Sequence, residues 1–332
     1  MVAALPYLVG FTPHESATAV WIAAGRLILT QRMDLAGWLV DSRAWLAALF
    51  EHPSARAADQ LVMVLTSSSE VPTSLVDDLR AAAEQRDVLV RDILIVGDGR
   101  WRSAMCADEA CCPRVGRPID PQVLVEVSAE FTVMGAAPLA DRDELLASLS
   151  ADPGRIRRVE ASARRPRRGR DIEGWRDESI ERIVRLLLPD SRVHGTAAPG
   201  GLADVDDVAA LLHGLADIRV RDTVLWELAA AHPDALLGAM AQLTAGVRAA
   251  PEPLVAPIAT TCAVAAWLLG DGARASIAAE RALSARPDYT LGQLVLQSLR
   301  GGLPPTTWRS AMAGVSREEC RHGITNADRQ AG

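Results

Sequence analysis

The feature that most constrains this chain is a change of pattern partway along it. Before Arg155, short apolar runs of strand length alternate with amphipathic stretches of helical period; from Glu173 onward nothing reads as a strand. Such a chain resolves into a front part built on a sheet and a back part built from helices. Its 332 residues are enough for two separate cores.

In the front part, Met1 to Val9 reads as the end of a helix. Thr18–Ala23 and Arg26–Leu35 read as two strands joined at Ala24-Gly25, where glycine supplies a positive φ. In the second strand Leu27, Leu29, Gln31, Met33 and Leu35 share one face, and Ile28, Thr30, Arg32 and Asp34 share the other. Leu61–Leu65 is a continuous apolar run, as expected of a central strand covered on both sides. Ser74 and Asp77 have the spacing of a capping box for a helix running to Gln85. Val88–Val96 returns as strand, and Gly97-Asp98-Gly99 turns it into another through Trp101.

The expected architecture is therefore an α/β N-terminal domain over residues 1–152, a mixed sheet with flanking helices, followed by an all-α domain over 173–315. Residues 153–172 read as an Arg-rich linker and 316–332 as a polar tail. In the back part Ala275, Ala279, Ala282, Leu283 and Pro287 match the second-helix spacing of a tetratricopeptide repeat, with Gly270-Asp271-Gly272 at its inter-helix turn. One such match makes the domain tetratricopeptide-like and supports a helical hairpin more firmly than a repeat array. His213 and His232 fall near expected helix C-termini, where a cation answers the dipole.

Charge and cysteine usage narrow the function. The net charge of −7 disfavours a generally polyanion-binding surface. Arg155–Arg170 is the exception, carrying +7 and leaving −14 for the rest. Every basic residue is Arg, so no phosphate loop with its lysine is possible, and no G-x-G-x-x-G occurs. The five cysteines form no disulfide framework, the first basic residue is Arg26, and the longest apolar run, Pro257–Gly270, falls short of the roughly 20 residues that span a bilayer. The expectation is a cytoplasmic protein with reduced thiols, no cofactor and no membrane partner.

Three blocks carry a family likeness. The first is Leu5-Pro6-Tyr7-Leu8-Val9-Gly10-Phe11-Thr12-Pro13-His14-Glu15-Ser16 with Arg32-Met33-Asp34-Leu35. The second is Gly99-Arg100-Trp101 followed by Ser103, Cys106 and Cys111-Cys112-Pro113. The third is Gly270-Asp271-Gly272 with Ala282-Leu283, Pro304-Pro305 and Trp308. In these the chain resembles an actinobacterial family, domain of unknown function 4192 (DUF4192). The resemblance implies no mechanism, and no catalytic residue follows from it.

Four constellations have chemical content. His14, Glu15 and Ser16 form a polar loop entering a strand, and with Arg32 and Asp34 across the hairpin they could hold a small polar ligand; a purely structural network explains the same residues. Ser67, Ser68 and Ser69 follow the central strand, where open α/β sheets collect ligands and where hydroxyls suit phosphate or carboxylate, although a serine-rich loop is also ordinary turn chemistry. Cys106, Cys111 and Cys112 are three potential zinc ligands, set against the objection that adjacent cysteines do not easily face one ion and the simpler reading of small thiols in a tight loop. Arg164, Arg165, Arg167 and Arg168 could contact a polyanion, but no aromatics are interleaved for stacking on single strands. No G-x-S-x-G elbow and no complete catalytic set occurs. The sequence therefore favours a non-enzymatic binding or adaptor protein whose helical domain holds a protein partner. A small-ligand sensor or enzyme with its site in the α/β domain is the alternative, and nucleic-acid binding through Arg155–Arg170 is a third reading.

Overall fold

A computed structural model describes residues 1–133, 137–162, 171–189 and 204–323. The chain divides into two compact units, Met1–Glu144 with Arg300–Gly302, and Leu145–Leu299 with the chain from Leu303 onward.

The first unit is the expected mixed sheet with helices. A 3-10 turn, Val2–Ala4, runs into α1 (Leu5–Val9), which Gly10 ends in the left-handed conformation at φ 85°. β1 (Ser16–Ala23) and β2 (Arg26–Asp34) form the hairpin, with Ala24 and Gly25 at φ 48° and 76° in its turn. After α2 (Leu35–Val40), α3 (Ser42–Glu51) and α4 (Pro53–Arg56), β3 (Gln60–Thr66) joins the sheet antiparallel to β1. α5 (Thr73–Glu84) crosses over to β4 (Leu89–Gly97), which lies parallel to β3. β5 (Arg100–Ser103) and β6 (Arg117–Pro118) complete the order β2-β1-β3-β4-β5-β6, and α6 (Pro121–Val133) and α7 (Arg142–Ser148) follow.

Side-chain alternation decides what each sheet face does. Ala17, Ala19 and Trp21 of β1 pair with Leu65, Met63 and Leu61 of β3. That face forms the main core with Trp38, Trp45, Leu49, Phe50 and Leu79. Trp38 and Trp45 stack at 4.4 Å, and Trp21 meets Phe50 edge-on at 5.4 Å. The opposite face carries Ser16, Thr18, Val20, Val64 and Leu94, all buried. α1 packs against β2, and its Leu5 and Val9 are buried. The expected capping box at Ser74 and Asp77 does not form. Pro72 takes the N-cap position with no side-chain bond, so Ser74 lies inside the first turn.

The second unit is all helix among the described residues: α8 (Pro153–Ser162), α9 (Ile172–Leu187), α10 (Val205–Leu215), α11 (Ile218–Ala230), α12 (Pro233–Ala249), α13 (Glu252–Leu268), α14 (Gly272–Ala285), α15 (Thr290–Arg300), α16 (Pro305–Ala313) and α17 (Arg317–His322). Aspartates at 171, 204, 217 and 271 cap α9, α10, α11 and α14 through backbone amides. α13 is buried without a break from Val255 to Leu268 and touches α10, α11, α12, α14 and α16. α13 and α14 form the expected hairpin, turning at Gly270 with φ 81°. Ala275, Ala278, Ala279 and Ala282 are fully buried, and their small size lets α14 approach its neighbours closely.

Three details differ from the sequence reading. The first ten residues of the stretch read as a linker are α8, whose Val159 is buried and which packs on α10 and α12. The stretch read as a polar tail begins as α17, started by a Ser316–Glu319 capping box and tied by Arg321 to Asp177. His232, just past the end of α11, also serves as the N-cap of α12, a role the sequence reading did not give it, its Nδ1 accepting from the Asp234 amide at 3.4 Å. Among the described residues no helix is long and apolar enough to cross a membrane.

Candidate functional site

The site grows out of the parallel pair β3–β4. β3 ends at Thr66 and runs into Ser67-Ser68-Ser69; β4 ends at Gly97 and turns at Asp98-Gly99. These neighbouring carboxyl ends are where ligands gather in open α/β sheets. The Ser67 amide donates to the Val96 carbonyl at 3.0 Å. A Cβ on residue 97 would stand 2.4 Å from the Ser67 carbonyl oxygen, so only glycine lets the two ends meet this closely.

A cavity of about 450 Å³ opens beside them, within the size range of small-molecule sites. Its polar lining includes His14, Glu15, Thr66, Ser67, Ser68 and Asp98; its apolar wall includes Ala3, Leu5, Val96, Ile119 and Leu124. His14, Glu15, Ser68 and Asp98 are exposed, whereas Ala3, Leu5 and Ser67 are buried.

Glu15 is the centre of this arrangement. Its Oε1 accepts from the Ser68 amide and the Ser68 hydroxyl, both at 2.7 Å, and its Oε2 accepts from the Ser67 hydroxyl at 3.2 Å. The Ser69 amide donates in turn to Ser67 Oγ at 3.1 Å. The backbone and hydroxyl bonds from Ser68 hold the Glu15 carboxyl below the usual carboxylate range, with Ser67 and His14 adding to the shift. Glu15 also sits in the left-handed region at φ 40°, unusual for a long side chain, and its carbonyl accepts from the Leu35 amide at 3.1 Å. The chain thus places its own carboxylate in the hydroxyl cradle expected to suit an external phosphate or carboxylate.

The remaining expected residues lie beside the cavity rather than around it. Ser16 opposes Asp34 on β2 and Thr66 on β3, and Thr18 opposes Arg32. Arg32 pairs with Asp34 at 2.6 Å, as the structural reading of the loop required, and neither lines the cavity. Ser16 Oγ, Thr18 Oγ1, Thr66 Oγ1 and Arg32 Nε are shielded from solvent without a hydrogen-bond partner. The sheet face next to the cavity therefore keeps unmet polar capacity. Sequence reasoning did not connect Gly97-Asp98-Gly99 or the N-terminal turn with this site. The strand-end rule was the available signal for Asp98, because that turn follows β4 as the serines follow β3.

The contacts of Glu15 do not activate the serines as nucleophiles. Both serine hydroxyls face a carboxylate with lowered pKa, which is too weak a base to activate them near neutral pH. The lining carries two carboxylates, Glu15 and Asp98, and no arginine. A carboxylate offers about four acceptor positions, and three bonds already reach Glu15, so one remains for a donor on a ligand.

Elsewhere in this unit the sulfurs of Cys106, Cys111 and Cys112 lie within 4.8 Å of one another in the β5–β6 connection. No fourth His, Cys, Asp or Glu joins the group among the described residues. Arg164, Arg165, Arg167 and Arg168 lie outside the described residues.

No curated protein and no solved structure matches the sequence. The family model of domain of unknown function DUF4192 matches residues 1–306, nearly the whole chain. The three sequence blocks and this match agree, and the chain belongs to the DUF4192 family.

Proposed function

We propose that this protein binds a small organic ligand in the cavity at the ends of β3 and β4, and that the ligand joins an apolar body to a protonated amine. The observation that carries this reading is the lining itself: an apolar wall with two carboxylates, Glu15 and Asp98, at its exposed side, and only the His14 imidazole, with no arginine, to answer an anion. An anionic ligand would meet two carboxylates and find the serine donors already engaged by Glu15. An ammonium group finds a free acceptor position on Glu15 and the Asp98 carboxylate. The five free thiols support placing the protein in the reducing cytoplasm.

A protein-partner role for the helical unit draws less support. The alanines of α14 pack within the unit, as a helical hairpin requires, and point to no particular partner.

The test is a thermal-shift titration of the full chain with 2-phenylethylamine and with 3-phenylpropanoate, a pair of similar size and opposite charge. Binding to the folded state raises the melting temperature. The amine should do so saturably, the acid should not, and Glu15→Gln should remove most of the response. A flat response to both, or an equal response to both, rejects this reading.

A further inference from the structure

We propose that Cys106, Cys111 and Cys112 form a three-thiolate site for a zinc ion, with one coordination position left open to solvent. The proposal rests on the geometry of the β5–β6 connection and is independent of the cavity.

Spacing is the first argument. Tetrahedral zinc with Zn–S bonds of about 2.3 Å places its sulfurs about 3.8 Å apart. The Cys111 and Cys112 sulfurs are 4.0 Å apart, and all three lie within 4.8 Å of one another. A disulfide needs sulfurs about 2 Å apart, so the observed spacing is much nearer to that of a metal site. The objection that adjacent cysteines do not easily face one ion is met by the turn that carries them. The Cys111 and Cys112 amides both donate to the Asp108 carbonyl, at 3.1 and 2.7 Å, and this folds the two residues onto one side of the loop.

Preorganisation is the second. The loop is pinned by bonds that involve no thiol. The Asp108 carboxylate accepts from the Ala110 amide at 2.8 Å. Ser103 Oγ donates to Asp92 at 2.6 Å and accepts from the Met105 amide at 3.1 Å. Arg100 Nη2 donates to the Gly116 carbonyl at 2.8 Å, and Gly116 holds φ 73° where a Cβ would press on the Trp101 carbonyl at 3.1 Å. Such a loop keeps three thiols converged without closing a bond between them.

Access and charge are the third. Cys111 is exposed and Cys106 and Cys112 are half-buried, so an ion can reach all three. With no fourth protein ligand in the group among the described residues, water takes the remaining position. Three thiolates and one Zn²⁺ leave a charge of −1. Arg117 is the cation at hand to answer it, held on the loop by its Nη2 donating to the Ala110 carbonyl at 2.9 Å. Soft thiolate donors select zinc over magnesium and calcium. On binding, each thiol that is still protonated releases its proton to solvent as its sulfur takes up the metal.

The experiment uses the full chain, reduced, stripped of metal and handled without oxygen. Zinc is titrated against a chromogenic chelator, and cobalt(II) replaces zinc to report thiolate ligation by its sulfur-to-metal charge-transfer absorption. The expected result is one ion per chain, a four-coordinate cobalt spectrum, and at least about a tenfold loss of affinity in each of Cys106→Ser, Cys111→Ser and Cys112→Ser. Circular dichroism checks that these loop variants stay folded. Failure to retain one equivalent of zinc, retention undiminished in the triple serine variant, or retention of copper(I) but not zinc each overturns the proposal.

Discussion

The two units use their small and polar residues in opposite ways. In the helical unit, alanines 275, 278, 279 and 282 bring α14 close to its neighbours, and α13 is buried along an unbroken run from Val255 to Leu268. In the α/β unit, Gly97 brings two strand ends together, and the space beside them stays open and lined with Glu15, Ser68 and Asp98. Close packing in one body produces a closed core; in the other it produces the rim of a cavity. Stability should therefore be most sensitive to change in the helical core, and ligand chemistry to change at the strand ends.

The largest effect expected is on the helical side. Leu243 of α12 is fully buried, and Leu243→Ala should cost about 2–5 kcal/mol. Denaturant titration measures the loss, and the amine response should survive wherever the protein remains folded. If this change abolished the amine response in folded protein, the contrast between the units would fail. Gly97→Ala comes next, because its Cβ meets backbone rather than a flexible side chain. It should cost about 1–3 kcal/mol and, unlike Leu243→Ala, should also remove the amine response. A fully stable variant would show that the strand ends are free to part.

Ser68→Ala is milder. Ser68 is exposed, so the stability loss should stay below about 1 kcal/mol, but the lost hydroxyl bond should move the Glu15 pKa up toward its ordinary value. The sign follows from the shift. Glu15 titrates lower when folded, so its contribution is present above the unfolded pKa and is lost as pH falls through the folded one. In Ser68→Ala the gap between the two narrows, and the acid-side loss of stability should shrink with it. A carboxyl NMR titration checks the direction, and an unmoved Glu15 would mean the hydroxyl bond contributes nothing.

The smallest effect on stability, though a sharp one chemically, concerns the thiols. Cys262 is buried within α13, and burial pushes its thiol pKa up to about 12. Cys320 is buried on α17, and burial raises its pKa as well. Alkylation of native, metal-free protein followed by mass spectrometry should mark Cys106, Cys111 and Cys112 first, and Cys262 and Cys320 only after unfolding. Rapid labelling of Cys262 in native protein would contradict the closed helical core.

Much of the fold was legible because its signals are local. The β1–β2 turn, the apolar run of β3 and the α13–α14 hairpin each follow from a short stretch of residues. The misses came from competition between local options. Ser74 had capping-box spacing, but Pro72 took the N-cap. α17 looked like a polar tail because its stabilisation comes from the capping box at Ser316 and from Asp177, a distant partner of Arg321. At the site, His14, Glu15, Ser67 and Ser68 were nameable as a polar loop and a strand-end loop. That Glu15 reaches across 52 positions to fill the serine cradle was not. Only tertiary structure sets that contact, and it is what leads us to propose a cationic rather than an anionic ligand. The three thiols posed the same difficulty, since their convergence depends on a turn around Asp108 that spacing alone does not specify.

The most direct test of the cavity assignment is a carboxyl-selective ¹³C NMR titration of the full chain with 2-phenylethylamine. The account predicts saturable shifts at the Glu15 and Asp98 carboxyls, with the signals of other exposed carboxylates, such as Glu126, unmoved. Glu15 and Asp98 signals that stay fixed while the amine binds elsewhere, or shifts spread evenly over all surface carboxylates, would contradict it.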